Sequence, residues 1–189
     1  MKYFKWFFLV FVDILSTLLN YPLSFLVVPF ASREGWLPTS LSWFQTPDNS
    51  LDGDNGWKTE HVQWLPNGSY LKRVLWLWRN PMYGFAVNVL GAKLTKDDTL
   101  TFKGDPFIQP SPVGKTGWVY VEITNASGTT YWNYNLVYRW GNSNKCARLN
   151  FGWKLKYYAE DTTRLTNIQP EDTVAQFVFS PRPYIAYQQ

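Results

Sequence analysis

Cysteine and histidine are almost missing from this chain: Cys146 and His61 are the only ones in 189 residues. A single cysteine closes no internal disulfide, so the redox compartment is unreadable. One Cys with one His also cannot assemble a tetrahedral zinc centre. Any Ser-His-Asp triad would have to recruit His61, and no serine sits in the G-x-S-x-G elbow that exposes such a nucleophile. Lys/Arg runs are absent too. The net charge of +4 is dispersed, which anionic lipid or nucleic acid would tolerate but which requires neither. No cofactor motif is present, so no cofactor and no metal is expected. What remains after these exclusions is a chain without a specific catalytic signature.

What the sequence does have is grease at its start. From Tyr3 to Ala31 the residues are nearly all apolar or aromatic, enough to cross a hydrocarbon core of about 30 Å as a helix. On a helical wheel Lys2, Lys5, Asp13, Ser16, Thr17, Asn20 and Ser24 gather in about a third of the circumference. This narrow seam suits a helix immersed in lipid that turns its polar side toward a partner helix or its own domain. Asp13 is the costly member, at about 2.5–3.5 kcal/mol near the middle of a span, so it should be neutral, paired or near an interface. Pro22 and Pro29 predict kinks or a hairpin of two shorter segments. Two competing readings exist. A cleaved signal peptide would need a small-x-small exit, and Pro29 occupies the −3 position before Ala31. A buried core helix would need a larger domain to wrap it. Residues 1–32 therefore read as a membrane-anchoring segment and 33–189 as one β-rich domain, with 33–68 an irregular connector. By the positive-inside rule a true span keeps the N-terminus cytoplasmic and the domain outside; an in-plane or hairpin arrangement leaves the domain in the cytosol.

Aromatics make up 19% of the chain, with 11 Trp, which fits both a β-domain core and amphipathic surfaces. Within the connector, Asp48-Asn49-Ser50-Leu51-Asp52-Gly53-Asp54 resembles the opening of a calcium loop, but Thr59 holds the twelfth position where a bidentate Glu belongs. Asx-turns are the simpler use of these side chains. Pro66-Asn67-Gly68 is a turn and Ser69 a candidate N-cap for a short helix with Tyr70, Val74 and Trp78 on one face, ending at Asn80 before Pro81; a strand pair is the alternative, since PNG also joins hairpins.

From Phe85 onward the pattern has period two, predicting strands in FAVNVLG (85–91) and TLTFKG (99–104). GWVYVEIT, TYWNYNLVYRW and KCARLNFGWKLKYY read as an antiparallel meander, followed by a strand VAQFVFSP and a tail RPYIAYQQ. With Asn142-Ser143 at the second tip, Trp132 faces Trp153, Tyr134 faces Phe151, Leu136 faces Leu149 and Tyr138 faces Ala147. With Asn125–Thr130 closing the first hairpin, Ile123 faces Trp132, Val121 faces Tyr134 and Val119 faces Leu136, all on one face. The opposite face then carries Trp118, Tyr120, Glu122, Tyr131, Asn133, Asn135, Arg139, Arg148, Asn150, Lys154 and Lys156. Aromatic plates beside amides and cations are what sugar rings or unstacked bases need. Trp118, Tyr120, Tyr131, Asn133, Arg139 and Arg148 are the candidate ligand-binding set; a solvated sheet face is the plainer alternative. The fold class expected is α+β, mainly β.

Two strings, WFQTPDNSLDGD (Trp43–Asp54) and LWRNPMYGF (Leu77–Phe85), follow the apolar, Pro-containing N-terminus. They resemble small membrane-associated proteins encoded by tailed bacteriophages, a group without an assigned activity. The resemblance covers about the first half of the chain. It implies action at the inner membrane of a bacterial host or in the virion, with Asp48, Asn49, Asp52, Asp54, Arg79, Asn80 and Tyr83 as the place to seek a shared site. Three functions are thus expected in order. The first is a non-enzymatic, membrane-associated accessory protein touching lipid through its N-terminus and a host or virion protein through its β-rich domain. The second is a glycan- or nucleic-acid-binding module, nucleic acid being the less favoured. The third is an envelope hydrolase centred on the Asp48–Asp54 loop and His61.

Overall fold

The computed structural model describes residues 2–109, 113–169, 173–174 and 176–188. The fold is α+β and β-rich: a long apolar helix opens the chain, short helices follow, and an antiparallel five-stranded sheet dominates the rest. By its contacts the chain forms two units, Tyr3–Ala92 and Lys93–Gln189.

In the first unit, α1 (Lys2–Val27) is one continuous helix of 26 residues. The hairpin alternative does not form. Pro22 lies inside the helix and is exposed, so its ring faces away from the protein and the helix passes through it. A short 3₁₀ turn (Val28–Phe30), with Pro29 in its first turn, ends the segment. Residues 33–68 carry a 3₁₀ helix (Thr39–Phe44) and α2 (Asn55–Thr59). The helix expected after Ser69 is present as α3 (Tyr70–Arg79), with Ser69 as N-cap and Asn80 as C-cap. Ser69 caps through its carbonyl, which accepts the Arg73 N–H, rather than through its hydroxyl. Val74, Trp76 and Leu77 are buried on α3.

The strand predicted over 85–91 is instead a single helical turn, α4 (Phe85–Asn88). Phe85 and Ala86 are adjacent and both buried, which a half-buried strand would not allow. Packing explains the helix: a Cβ on Gly84 would come within 2.6 Å of the Ser42 and Gln45 carbonyl oxygens. The chain thus enters α4 pressed against the end of the 3₁₀ helix, and only a residue without a side chain fits there.

The second unit holds β1 (Lys93–Leu94), β2 (Thr99–Gly104), β3 (Gly117–Thr124), β4 (Thr130–Arg139), β5 (Lys145–Lys154), β6 (Tyr157–Ala159), β7 (Leu165–Asn167), β8 (Thr173–Val174) and β9 (Gln176–Ala186). The main sheet has the order β2-β3-β4-β5-β9, while β1 pairs with β8 and β6 with β7. The β4–β5 register is the predicted one: Tyr134 opposite Phe151, Leu136 opposite Leu149, Tyr138 opposite Ala147. That ladder stops at Asn133 and Gly152, one step short of the expected Trp132–Trp153 pair.

The β3–β4 register differs from the expectation by one residue. Ile123 lies opposite Tyr131, Val121 opposite Asn133 and Val119 opposite Asn135. The turn is the cause. Asn125 N–H donates to the Thr129 carbonyl, Gly128 N–H donates to the Asn125 carbonyl, and Gly128 has φ +77°. This is a three-residue loop closed by a left-handed glycine bulge, and its odd length moves the pairing by one step relative to an even loop. Every side chain of β3 therefore changes its company on β4.

At the chain's end the strand does not stop at Pro181. β9 runs from Gln176 through Pro181 and Pro183 to Ala186, absorbing most of the predicted tail; Ala175 and Gln189, which belong to those two segments, lie outside the described residues. Proline is admissible here because β9 is an edge strand, with one side free of a ladder partner. The core of this unit is Ile108, Val113, Val119, Val121, Val137 and Cys146, flanked by Leu100 and Phe102.

Candidate functional site

The helix α1 wears its polarity inside out. Its buried residues are Trp6, Val10, Asn20, Ser24 and Val27, a line along the same side as the polar seam. Asp13, Ser16 and Thr17 on that side are half-buried. Asn20 is 0% exposed and donates its amide to the Leu77 carbonyl at 2.9 Å. The Trp78 indole N–H lies 2.8 Å from the Ser24 hydroxyl oxygen and 3.0 Å from the Tyr21 carbonyl, and the Tyr70 hydroxyl donates to the Phe25 carbonyl. Tyr21 and Phe25 pack edge-on against the Trp78 ring at 5.7 and 5.6 Å. The C-terminal half of α1 is thus bolted to α3 through its polar groups.

The remaining side of α1 is exposed and apolar. Phe4, Phe7, Phe8, Phe11, Ile14, Leu15, Leu18, Leu19, Phe25 and Leu26 all face outward. At 100° per residue they cover an arc of about 140°, and at 1.5 Å per residue the helix is about 39 Å long. Of the described residues, Lys2–Phe30 forms one segment long and apolar enough to cross a membrane, a property shared with signal sequences and with core helices. A core helix would be mostly buried, whereas 22% of its most apolar window is.

The acidic connector is structural in its details. Asp52 accepts from Arg73 Nε at 2.6 Å and from Nη2 at 3.0 Å, and the same guanidinium donates to the Ser32 and Arg33 carbonyls. A planar fork of this kind suits a carboxylate bidentately, and here it ties three parts of the chain together. Asp54 caps α2, accepting the Trp57 N–H at 2.7 Å. Asp48 is exposed, and the Asn49 carbonyl accepts from the Thr46 hydroxyl. Arg79 lies 5.6 Å from the Trp57 ring and His61 6.0 Å from it, while Asn80 closes α3 and Tyr83 is half-buried. Asp54, His61 and Arg79 therefore all sit beside the buried Trp57. Among the described residues no three His, Cys, Asp or Glu groups gather to hold a metal ion.

The six sheet residues are split by the first hairpin's register. Trp118 and Tyr120 now share a face with Tyr134 and Leu136, and Trp118 stacks on Tyr134 at 6.3 Å. Tyr131, Asn133 and Arg148 lie on the other face and are buried. Burial and the Asp98 carboxylate push the Tyr131 phenol up. Arg139 sits at the second hairpin's tip, donating to the Ser143 and Asn142 carbonyls with its guanidinium 4.8 Å from the Tyr187 ring. The fully buried Cys146 has its thiol pushed up by burial against the opposing pull of Arg148.

Part of the predicted polar set does meet in one place. Asn133, Asn150, Lys154 and Lys156 line a cavity of about 220 Å³ together with Gln109, Leu155, Tyr157 and Ile168. The Asn133 amide donates to Asn150 Oδ1 at 2.8 Å and to the Trp153 carbonyl at 2.9 Å. Burial raises the Tyr157 phenol to about 12. Lys154 and Lys156 were legible in the alternation; Gln109 was not, because it reaches the cavity from a segment outside the meander, and Tyr157 falls on the opposite parity to the two lysines in the single strand expected over 145–158.

No curated protein and no solved structure matches the chain. Residues 1–187 match the family described as "Family of unknown function (DUF7338)", and the chain belongs to that family.

Proposed function

We propose that this is a non-enzymatic accessory protein held at a membrane by the outward face of α1, with its β-rich unit available to a host or virion protein. The supporting observation is the exposed arc of Phe, Leu and Ile on α1, set against Asn20 and Ser24, which are hydrogen-bonded to α3 on the opposite side. Contiguous apolar surface of this extent marks an interaction site on a soluble background, and lipid is the partner that accepts aromatic and aliphatic side chains without specific shape. The phage assignment, and with it the bacterial inner membrane or the virion as location, rests on the resemblance of the Trp43–Asp54 and Leu77–Phe85 strings. Flotation of the full chain with phosphatidylglycerol-containing vesicles tests the reading: wild type should float, and Phe7→Glu/Leu18→Glu should stay at the bottom with its fold intact. A wild-type chain that remains soluble and unbound without detergent overturns it.

A second reading, a small polar ligand such as a sugar held in the sheet, is favoured by the Asn133–Asn150–Lys156–Tyr157 cavity. Its test is saturable sugar binding that disappears in Asn150→Ala. Nucleic acid is less well served, since the aromatic plates and the buried Arg148 lie on opposite faces of the sheet.

A further inference from the structure

We infer that α1 lies in the plane of one leaflet and does not cross the bilayer. This deepens the membrane reading above and rests on it. The polar seam decides the orientation. Centred as a span, the 26-residue helix would place Asn20 about 8 Å and Ser24 about 14 Å from the midplane, inside a hydrocarbon half-thickness of about 15 Å. Asn20, Ser24 and Tyr21 are hydrogen-bonded to Leu77 and Trp78 of α3. A span would therefore drag α3 into hydrocarbon. That helix also carries Lys72, Arg73 and Arg79, with Arg73 tied to Asp52. Each such charge costs about 2.5–3.5 kcal/mol at membrane depth. Sliding the span toward the N-terminus does not remove the conflict. Trp6 and Val10 are 8% and 6% exposed, so protein covers the same side of the helix there too.

An in-plane placement resolves all of this. The exposed arc enters the acyl region while the seam stays against protein, and Lys5 and Arg33, both exposed near the two ends, meet headgroups. A free amphipathic peptide needs a charged face to hold this pose; here the protein on the seam side takes that place. A second copy of the chain fits the arc less well. A helix–helix seam is a narrow a/d stripe or uses small residues for close approach, whereas this arc is about 140° wide and built mainly from Phe and Leu.

The test uses the full chain added to preformed phosphatidylcholine/phosphatidylglycerol vesicles. Single-cysteine variants Phe8→Cys, Leu15→Cys and Leu26→Cys carry an environment-sensitive fluorophore, with labelled wild type as the control for the buried Cys146. Quenching by lipids brominated at graded acyl depths should put all three labels at a similar depth of about 5–10 Å below the headgroups. Leu15 at the bilayer centre with Phe8 and Leu26 toward opposite surfaces would overturn the in-plane inference and leave membrane association standing. No flotation, with a dimer by sedimentation equilibrium, would overturn both. Circular dichroism in the near ultraviolet shows that each variant keeps its fold.

Discussion

Helix α1 and the β3–β5 sheet solve the same problem in opposite ways. In the sheet, Val119, Val121, Val137 and Cys146 are buried in a shared cluster, while Trp118, Tyr138, Phe179 and Tyr184 stay exposed. In α1 it is Asn20 and Ser24 that reach 0% exposure while Phe4 and Leu26 stand open at 79% and 65%. A surface helix of a soluble protein is expected to run the other way, with its apolar stripe inward. The sheet therefore has an apolar core of its own, whereas the most apolar side of the helix has little cover from the protein. This contrast is what supports the proposed contact of α1 with lipid.

The comparison breaks hardest in the core. Val121→Asp, which buries an unpaired carboxylate at a position 0% exposed, should cost more than about 3 kcal/mol and prevent folding, read by loss of the cooperative thermal transition. Phe11→Asp on the outward face of α1 should leave that transition within about 0.5 kcal/mol in vesicle-free solution while abolishing flotation. Equal damage from the two changes would erase the distinction between the regions.

Asn20→Leu sharpens it. A leucine there would be welcome in lipid, yet against α3 it strands the Leu77 carbonyl that accepts Asn20 at 2.9 Å. Denaturant unfolding should show a loss of about 1–3 kcal/mol; a stabilised variant would mean that the seam faces hydrocarbon. A smaller effect belongs to the first hairpin, where Gly128→Ala should cost about 1 kcal/mol for its left-handed backbone without changing α1's membrane affinity. Smallest is Asp105. Burial alone would raise its carboxyl, but the Lys115 ammonium at 2.6 Å and the Phe107 N–H bring it below the usual value. Its stabilisation is therefore present above the unfolded value near 4 and fades as pH falls through the lowered folded one. Asp105→Asn should lose about 0.5 kcal/mol at pH 7 and nothing at pH 2, measured by thermal unfolding at both.

Much of this was legible. The seam on α1 followed from wheel positions, and α3 from its spacing, its turn and Pro81. The β4–β5 register followed from alternation across a four-residue tip. The β3–β4 register was not, because the apolar and amide residues of WNYNLVY support either pairing and the parity of the Ala126–Gly128 loop breaks the tie. FAVNVLG has the period of a strand and the structure of a helical turn, since the deciding contact lies at Gly84, about forty residues from the carbonyls it touches. Asp52 and Asp54 looked alike in the string; one meets Arg73 and the other caps α2, and only the fold brings those partners near.

Composition and periodicity alone settled that a long greasy helix precedes a β-rich chain, because this depends on residue type and short spacing. Which side of the helix is dry, which faces of the strands share a surface, and which aspartate holds an arginine were decided by tertiary structure. Those outcomes turn on contacts between residues tens of positions apart, whose free energies depend on burial and geometry that no local pattern encodes.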